Sequence, residues 1–182
     1  MLWKVTVKPT GCPLDVTRVA KALRLDPPGA LTDPLTGMIG AAVRYAENAM
    51  GVSLLTRTMQ ATYFDPTEPV YLPRGPVQAI LSATYSPANT PLDPSRYQVQ
   101  AAGNVEYLSM VGSWTWQQPL VVTYTAGYGS ASDIPDDITW AMTAHVAHLY
   151  NQRESASLDT FKEVPQNLAD FYRLHSRHCA AT

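Results

Sequence analysis

Four histidines and one glycine-rich loop are the parts of this 182-residue sequence whose types and spacing could do chemistry. The histidines fall in two i, i+3 pairs, His145 with His148 and His175 with His178, and Cys179 follows the second pair. That spacing puts two imidazoles on one helix face, and two such pairs could complete a four-ligand zinc site. The sequence weighs against it. His145 lies in the apolar stripe of its helix, where a histidine usually packs. His178 and Cys179 fall in the last few residues, and no H-E-x-x-H places a general base beside either pair. The expectation is structural histidines, no bound metal and no cofactor.

The loop "TYTAGYGSASDIPDD" carries Gly127 and Gly129 between a strand pattern and a helix pattern, the order used by phosphate-binding folds. A P-loop needs a lysine after its last glycine, and a dinucleotide fingerprint needs a third glycine leading straight into the helix. Both are missing. Asp133, Asp136 and Asp137 crowd the helix start, where they complement the helix dipole and repel an anion. Gly127, Gly129, Asp133 and Pro135 are therefore expected to form a turn and helix cap, with Pro135 at an early helix position. No G-x-S-x-G occurs, and no Ser, His and Asp set has a spacing that recommends it. The sequence shows no active site.

The elements that must position these residues are legible from periodicity. Residues 14–25 read as a short amphipathic helix capped by Asp15, ended by "DPPGALTDP". A second helix starts after Asp33 and carries the stripe Leu35, Met38, Ile39, Ala42, Val43, Ala46, Ala49 and Met50, closed by Gly51. From Val52 the period becomes two, through "LLTRTMQATYF", "VYLPRGPVQAILSATYS", "RYQVQ", "VEYLSMV" and "PLVVTYTA", with Pro, Asp, Asn and Gly turns between them. The helical period returns at Ile138, Met142, His145 and Leu149, and again in "PQNLADFYRLHSRH". The expected fold class is α+β: a helical bundle of two N-terminal and two C-terminal helices with a small antiparallel β insertion in the middle. As one domain over 1–182, it divides into helices at 14–51, a β unit at 52–127 and helices at 134–177.

Charged residues make up 15% of the chain, against roughly 25% in an ordinary soluble domain, which predicts that part of the surface is covered in an assembly. Net charge is −2 and no Lys/Arg run occurs, which argues against a tight grip on nucleic acid. Two distant cysteines, no signal-type apolar segment and no membrane-length run predict a soluble cytoplasmic product with no membrane partner.

Four stretches, taken in order, resemble the head–tail connector (head-completion adaptor) proteins of tailed bacteriophages. They are "IGAAVRYAENAMGVSLLTRT", with Ala41, Tyr45, Glu47 and Gly51; "VYLPRGPVQAILSATY", with its turn at Leu72 to Val77; "LDPSRYQV"; and "VTYTAGYGSASDIPDDITWAMTAHVAHLYNQRES", ending in Tyr150, Arg153 and Glu154. The resemblance spans roughly residues 12–177. It implies a structural virion protein of the neck, made in the host cytoplasm, that forms a ring of commonly twelve copies beneath the portal protein. Such a ring extends the channel for double-stranded DNA, without binding it tightly, and presents a platform for a stopper or tail component. The resemblance also implies portal contact by the C-terminal segment, so Leu168, Phe171, Tyr172, Arg173 and Leu174 are the expected partner interface. The alternatives are a stopper or tail terminator, or a zinc-binding enzyme or regulatory domain built on the histidine pairs.

Overall fold

The computed structural model describes residues 1–25, 32–66, 69–112, 119–154 and 165–177. They form two compact units, each assembled from separated stretches of chain.

The first unit comprises Met1–Thr10, Gly51–Gly129 and Arg177. Its larger sheet is antiparallel, in the order β1 (Leu2–Val7), β2 (Arg57–Tyr63), β8 (Leu120–Ala126), β4 (Val77–Tyr85) and β5 (Thr90–Pro91). A smaller sheet runs β3 (Val70–Tyr71), β7 (Val105–Met110) and β6 (Tyr97–Ala102). Register follows from alternation. β8 buries Leu120, Val122, Tyr124 and Ala126, and β2 buries Met59, Ala61 and Tyr63. The pairing sets Met59 against Tyr124, Ala61 against Val122 and Tyr63 against Leu120, so every inward residue meets another. A slip of one residue would turn both sets to solvent. Val70, Leu72 and Leu108 join this core, which therefore draws on both sheets.

Two phenols in that core reach backbone carbonyls. Tyr124 Oη donates to Pro73 O at 2.6 Å, and Tyr63 Oη donates to Tyr71 O. Burial pushes both phenols far above the ordinary tyrosine range, so they remain protonated donors.

The second unit comprises Gly11–Met50 and Ser130–Ser176. It holds α1 (Val16–Ala22), α2 (Thr32–Met50), α3 (Asp136–Glu154) and α4 (Gln166–Leu174). Asp15 caps α1 by accepting from Thr17 N at 2.9 Å. α2 buries Leu35, Ile39, Ala42, Ala46 and Met50, and α3 buries Ile138, Ala141, Met142, His145 and Val146. Gly51, at φ +68°, lets the chain leave α2 in the left-handed conformation.

The expected class is corrected on one point: the protein is not a helical bundle carrying a small β insertion. Among the described residues, eight strands in two sheets form a unit with its own core, and four helices belong to the other unit. Part of the reason lies at the N-terminus. Leu2–Val7, to which the sequence expectation gave no element, pairs along β2 from Leu2↔Thr62 to Val7↔Thr58. Trp3, Val5 and Val7 alternate with polar Lys4 and Thr6, a period of two that was present in the sequence, and pairing with a distant strand makes it an element of the larger sheet.

Candidate functional site

The glycine corner is built by close backbone approach. β8 ends at Ala126, and Gly127 and Gly129 follow with φ of +135° and +136°. A Cβ on Gly127 would lie 2.5 Å from Leu55 O and 2.7 Å from Thr56 N. Gly127 N donates to Pro76 O at 2.8 Å, and Thr56 N donates to Gly129 O at 3.0 Å. Gln78 Nε2 bridges Gly127 O and Thr56 Oγ1, both at 2.9 Å. The N–H groups of Gly127 and Tyr128, which would have to face a phosphate, are spent on Pro76 O and Leu54 O.

The cap beyond the corner is acidic. Ser130 N and Ser130 Oγ both donate to Asp133 Oδ2 at 2.7 Å. These bonds hold the Asp133 carboxyl below the usual carboxylate range. Pro135 stands just before α3, and its carbonyl accepts the first bond of the helix, from Thr139 N at 3.1 Å, which is the cap position. Asp136 and Asp137 occupy that turn, and Asp137 Oδ1 accepts from Ile138 N at 2.8 Å.

The histidines have separate roles. His145 is buried in α3, with the Tyr45 ring edge-on at 5.1 Å and the Tyr172 ring at 6.2 Å. Burial, with a smaller contribution from His148, lowers its pKa, which favours the neutral ring. His175 sits past the end of α4, stacked on Phe171 at 4.4 Å. Its Nε2 lies 3.0 Å from Asp137 Oδ2 and its Nδ1 lies 3.1 Å from Phe171 O, which ties the end of α4 to the start of α3. Among the described residues, no group of three or more His, Cys, Asp or Glu stands close enough to hold a metal ion. His178, Cys179 and the polar run 155–164 lie outside the described residues.

The five residues expected to meet a partner divide by face. Leu168 and Tyr172 are buried in the helical unit, with Tyr45 and Phe171 flanking the Tyr172 ring. Arg173 is exposed and pairs with Asp170 at 3.3 Å, and Leu174 is 79% exposed. Phe171 is half-buried. α4 thus closes its own core with one face and leaves Arg173 and Leu174 on the other.

A third constellation escaped the sequence reading. In the β unit, Arg177 Nη1 donates to Glu106 Oε1 at 2.6 Å, with both side chains mostly buried. Arg177 O accepts from Tyr71 Oη at 3.3 Å. Gly75 makes room for the pair, because a Cβ there would lie 2.2 Å from Glu106 Oε2 and 2.8 Å from Arg177 Nη1. Arg177 and Glu106 are 71 positions apart, and no local signal could have joined them. The glycine of the "LPRGPV" turn therefore serves a contact as well as a bend.

No curated protein matches the sequence. Among solved structures, a chain from the neck of an empty gene transfer agent (GTA) particle computed with C6 symmetry superposes with a TM-score of 0.79 at 18% identity. A chain from the virion of a native GTA particle gives 0.77 at 18%, and one from the neck of a native GTA particle computed with C12 symmetry gives 0.74 at 17%. Each superposition covers 100% of this chain and 99% of the other. At these identities the likeness establishes a shared fold over the full length. The sequence itself carries the assignment further, matching the family model of the head completion proteins over residues 14–162. That span takes in α1 to α3, the glycine corner and all but one strand of the β unit, so this chain belongs to the head completion protein family.

Proposed function

We propose that this protein is a structural component of a virion neck. It forms a ring beneath the portal, extends the DNA channel, and presents a platform for the next neck or tail component. The observation that carries the reading is the family match over residues 14–162, together with full-length likeness to chains of neck and virion assemblies. The GTA necks were computed with C6 and C12 symmetry, which supports a cyclic arrangement for a chain of the same fold. Electrostatics suit a channel wall: at net charge −2 and with no basic run, the chain would let DNA slide past. The exposed face of α4, with Arg173 and Leu174, is the surface we assign to the portal. Electron microscopy of particles made without this protein tests the proposal. DNA-filled heads lacking tails are expected, with the missing density directly below the portal in the wild-type neck. Fully tailed particles would refute it.

A further inference from the structure

The β unit presents four sheet edges, and they are of two kinds. The edges at β5 and β3 are strands of two residues each, and β5 ends in Pro91. Short strands and proline are the usual means of blunting an edge. The other two edges, β1 and β6, are six residues long and contain no proline. Among the described residues each is paired on one side only, β1 with β2 and β6 with β7. Lys4 is the single charge on β1, and β6, with the sequence YQVQAA, has none. Both strands are exposed nearly throughout, and Leu2, Trp3, Val7 and Val99 all stand in solvent.

Two long, nearly uncharged edges on one small unit, interrupted only by the register shift between Val5 and Val7 in β1, form a template for strand addition. Pairing β1 with β1 of a second copy would be self-complementary, would stop at a dimer, and would leave every β6 open. Pairing β1 of one copy with β6 of the next uses both edges once per chain. Such head-to-tail contacts close into a ring when the rotation permits. The equal length of the two strands allows that pairing without overhang.

We infer that β1 of each copy adds to the open edge of β6 in its neighbour, so that backbone hydrogen bonds join the subunits around the ring. This rests on the ring proposed above.

The test uses the full chain with Cys12→Ser and Cys179→Ser, carrying Lys4→Cys with one of Gln98→Cys, Val99→Cys, Gln100→Cys or Ala101→Cys. Residues opposite each other on neighbouring strands have Cα atoms about 4.5–5.5 Å apart, within disulfide range. All five positions are exposed, so the folded units should tolerate them. After mild oxidation, at least one pair is expected to give a non-reducing ladder that runs past the dimer, while native mass spectrometry shows closed rings. Each single-cysteine variant should give no ladder. Rings without a ladder at any of the four registers would overturn the strand pairing and leave the ring standing. A dimer from Lys4→Cys alone would show β1–β1 pairing and would also overturn it. Monomer at every concentration, with no cross-link, would overturn both.

Discussion

Replacing Gly127 with alanine should be among the most damaging single-methyl additions this chain can suffer. At φ +135° the backbone lies where L residues rarely go, which alone costs about 1–3 kcal/mol. The new Cβ would also lie 2.5 Å from Leu55 O, 2.6 Å from Leu55 C and 2.7 Å from Thr56 N. All three are backbone atoms and cannot swing aside as a side chain would. Relief requires β8 and the Leu55–Thr56 segment to separate, which strains the Gly127–Pro76 and Thr56–Gly129 hydrogen bonds, each worth about 1 kcal/mol net. The total is about 3–5 kcal/mol. Two glycines of the same chain calibrate it. Gly103 has φ +62° but nothing within 4 Å of its Cβ position, so Gly103→Ala should cost only about 1 kcal/mol. Gly37 lies inside α2 with open space around it, and Gly37→Ala should stabilise by up to about 1 kcal/mol through helix propensity. Urea unfolding followed by far-UV circular dichroism ranks the three. At roughly 2–4 °C per kcal/mol, Gly127→Ala should also lower Tm by about 6–20 °C. If Gly127→Ala unfolds with Gly103→Ala, the close approach is not what holds the corner.

Glu106→Ala or Arg177→Ala strands a mostly buried partner and should cost about 1–3 kcal/mol, with the double variant costing less than the sum of the two; additive losses in a double-mutant cycle would contradict the pairing. His145 has a folded-state pKa below its unfolded value of about 6.5, so the unfolded chain binds more protons as pH falls through that value. The stability contributed by the neutral ring is present above pH ~6.5 and declines toward the lower folded pKa, so urea midpoints should drop between pH 7.5 and 5. His145→Phe should flatten that drop, and an unchanged slope would count against it. Truncation after Pro165 removes Leu168 and Tyr172 from the core and should unfold the helical unit, so portal docking is tested with Leu174→Glu and Arg173→Glu. Those variants should keep the wild-type melting curve and yield tailless, DNA-filled heads; normal tailing would rule the face out.

How much of this was legible in the sequence depends on the range of the interaction involved. Helices and most strands declared themselves because their periods of 3.6 and 2 are written locally. The stripe Leu35, Ile39, Ala42, Ala46 and Met50 and the alternation through Leu120–Ala126 needed no tertiary knowledge. The missing lysine and the crowd of aspartates that argue against a phosphate site at the glycine corner are also local information. The family too was readable, since its motifs are runs of neighbouring residues. Other features had to wait for the fold. The six residues of β1 alternate locally, but only pairing with a strand more than fifty positions away shows that they extend the sheet, so the β part was expected as a small insertion. Arg177 finds Glu106 only after the chain has placed β7, and Gly75 shows its second role only when that pair occupies the space a side chain would fill. Five residues of α4 were expected to share one surface, and packing divided them: Tyr172 and Leu168 turn into the helical core while Leu174 faces out. Which side of a short helix docks is decided by the partner that packs first, and that partner is encoded elsewhere in the chain.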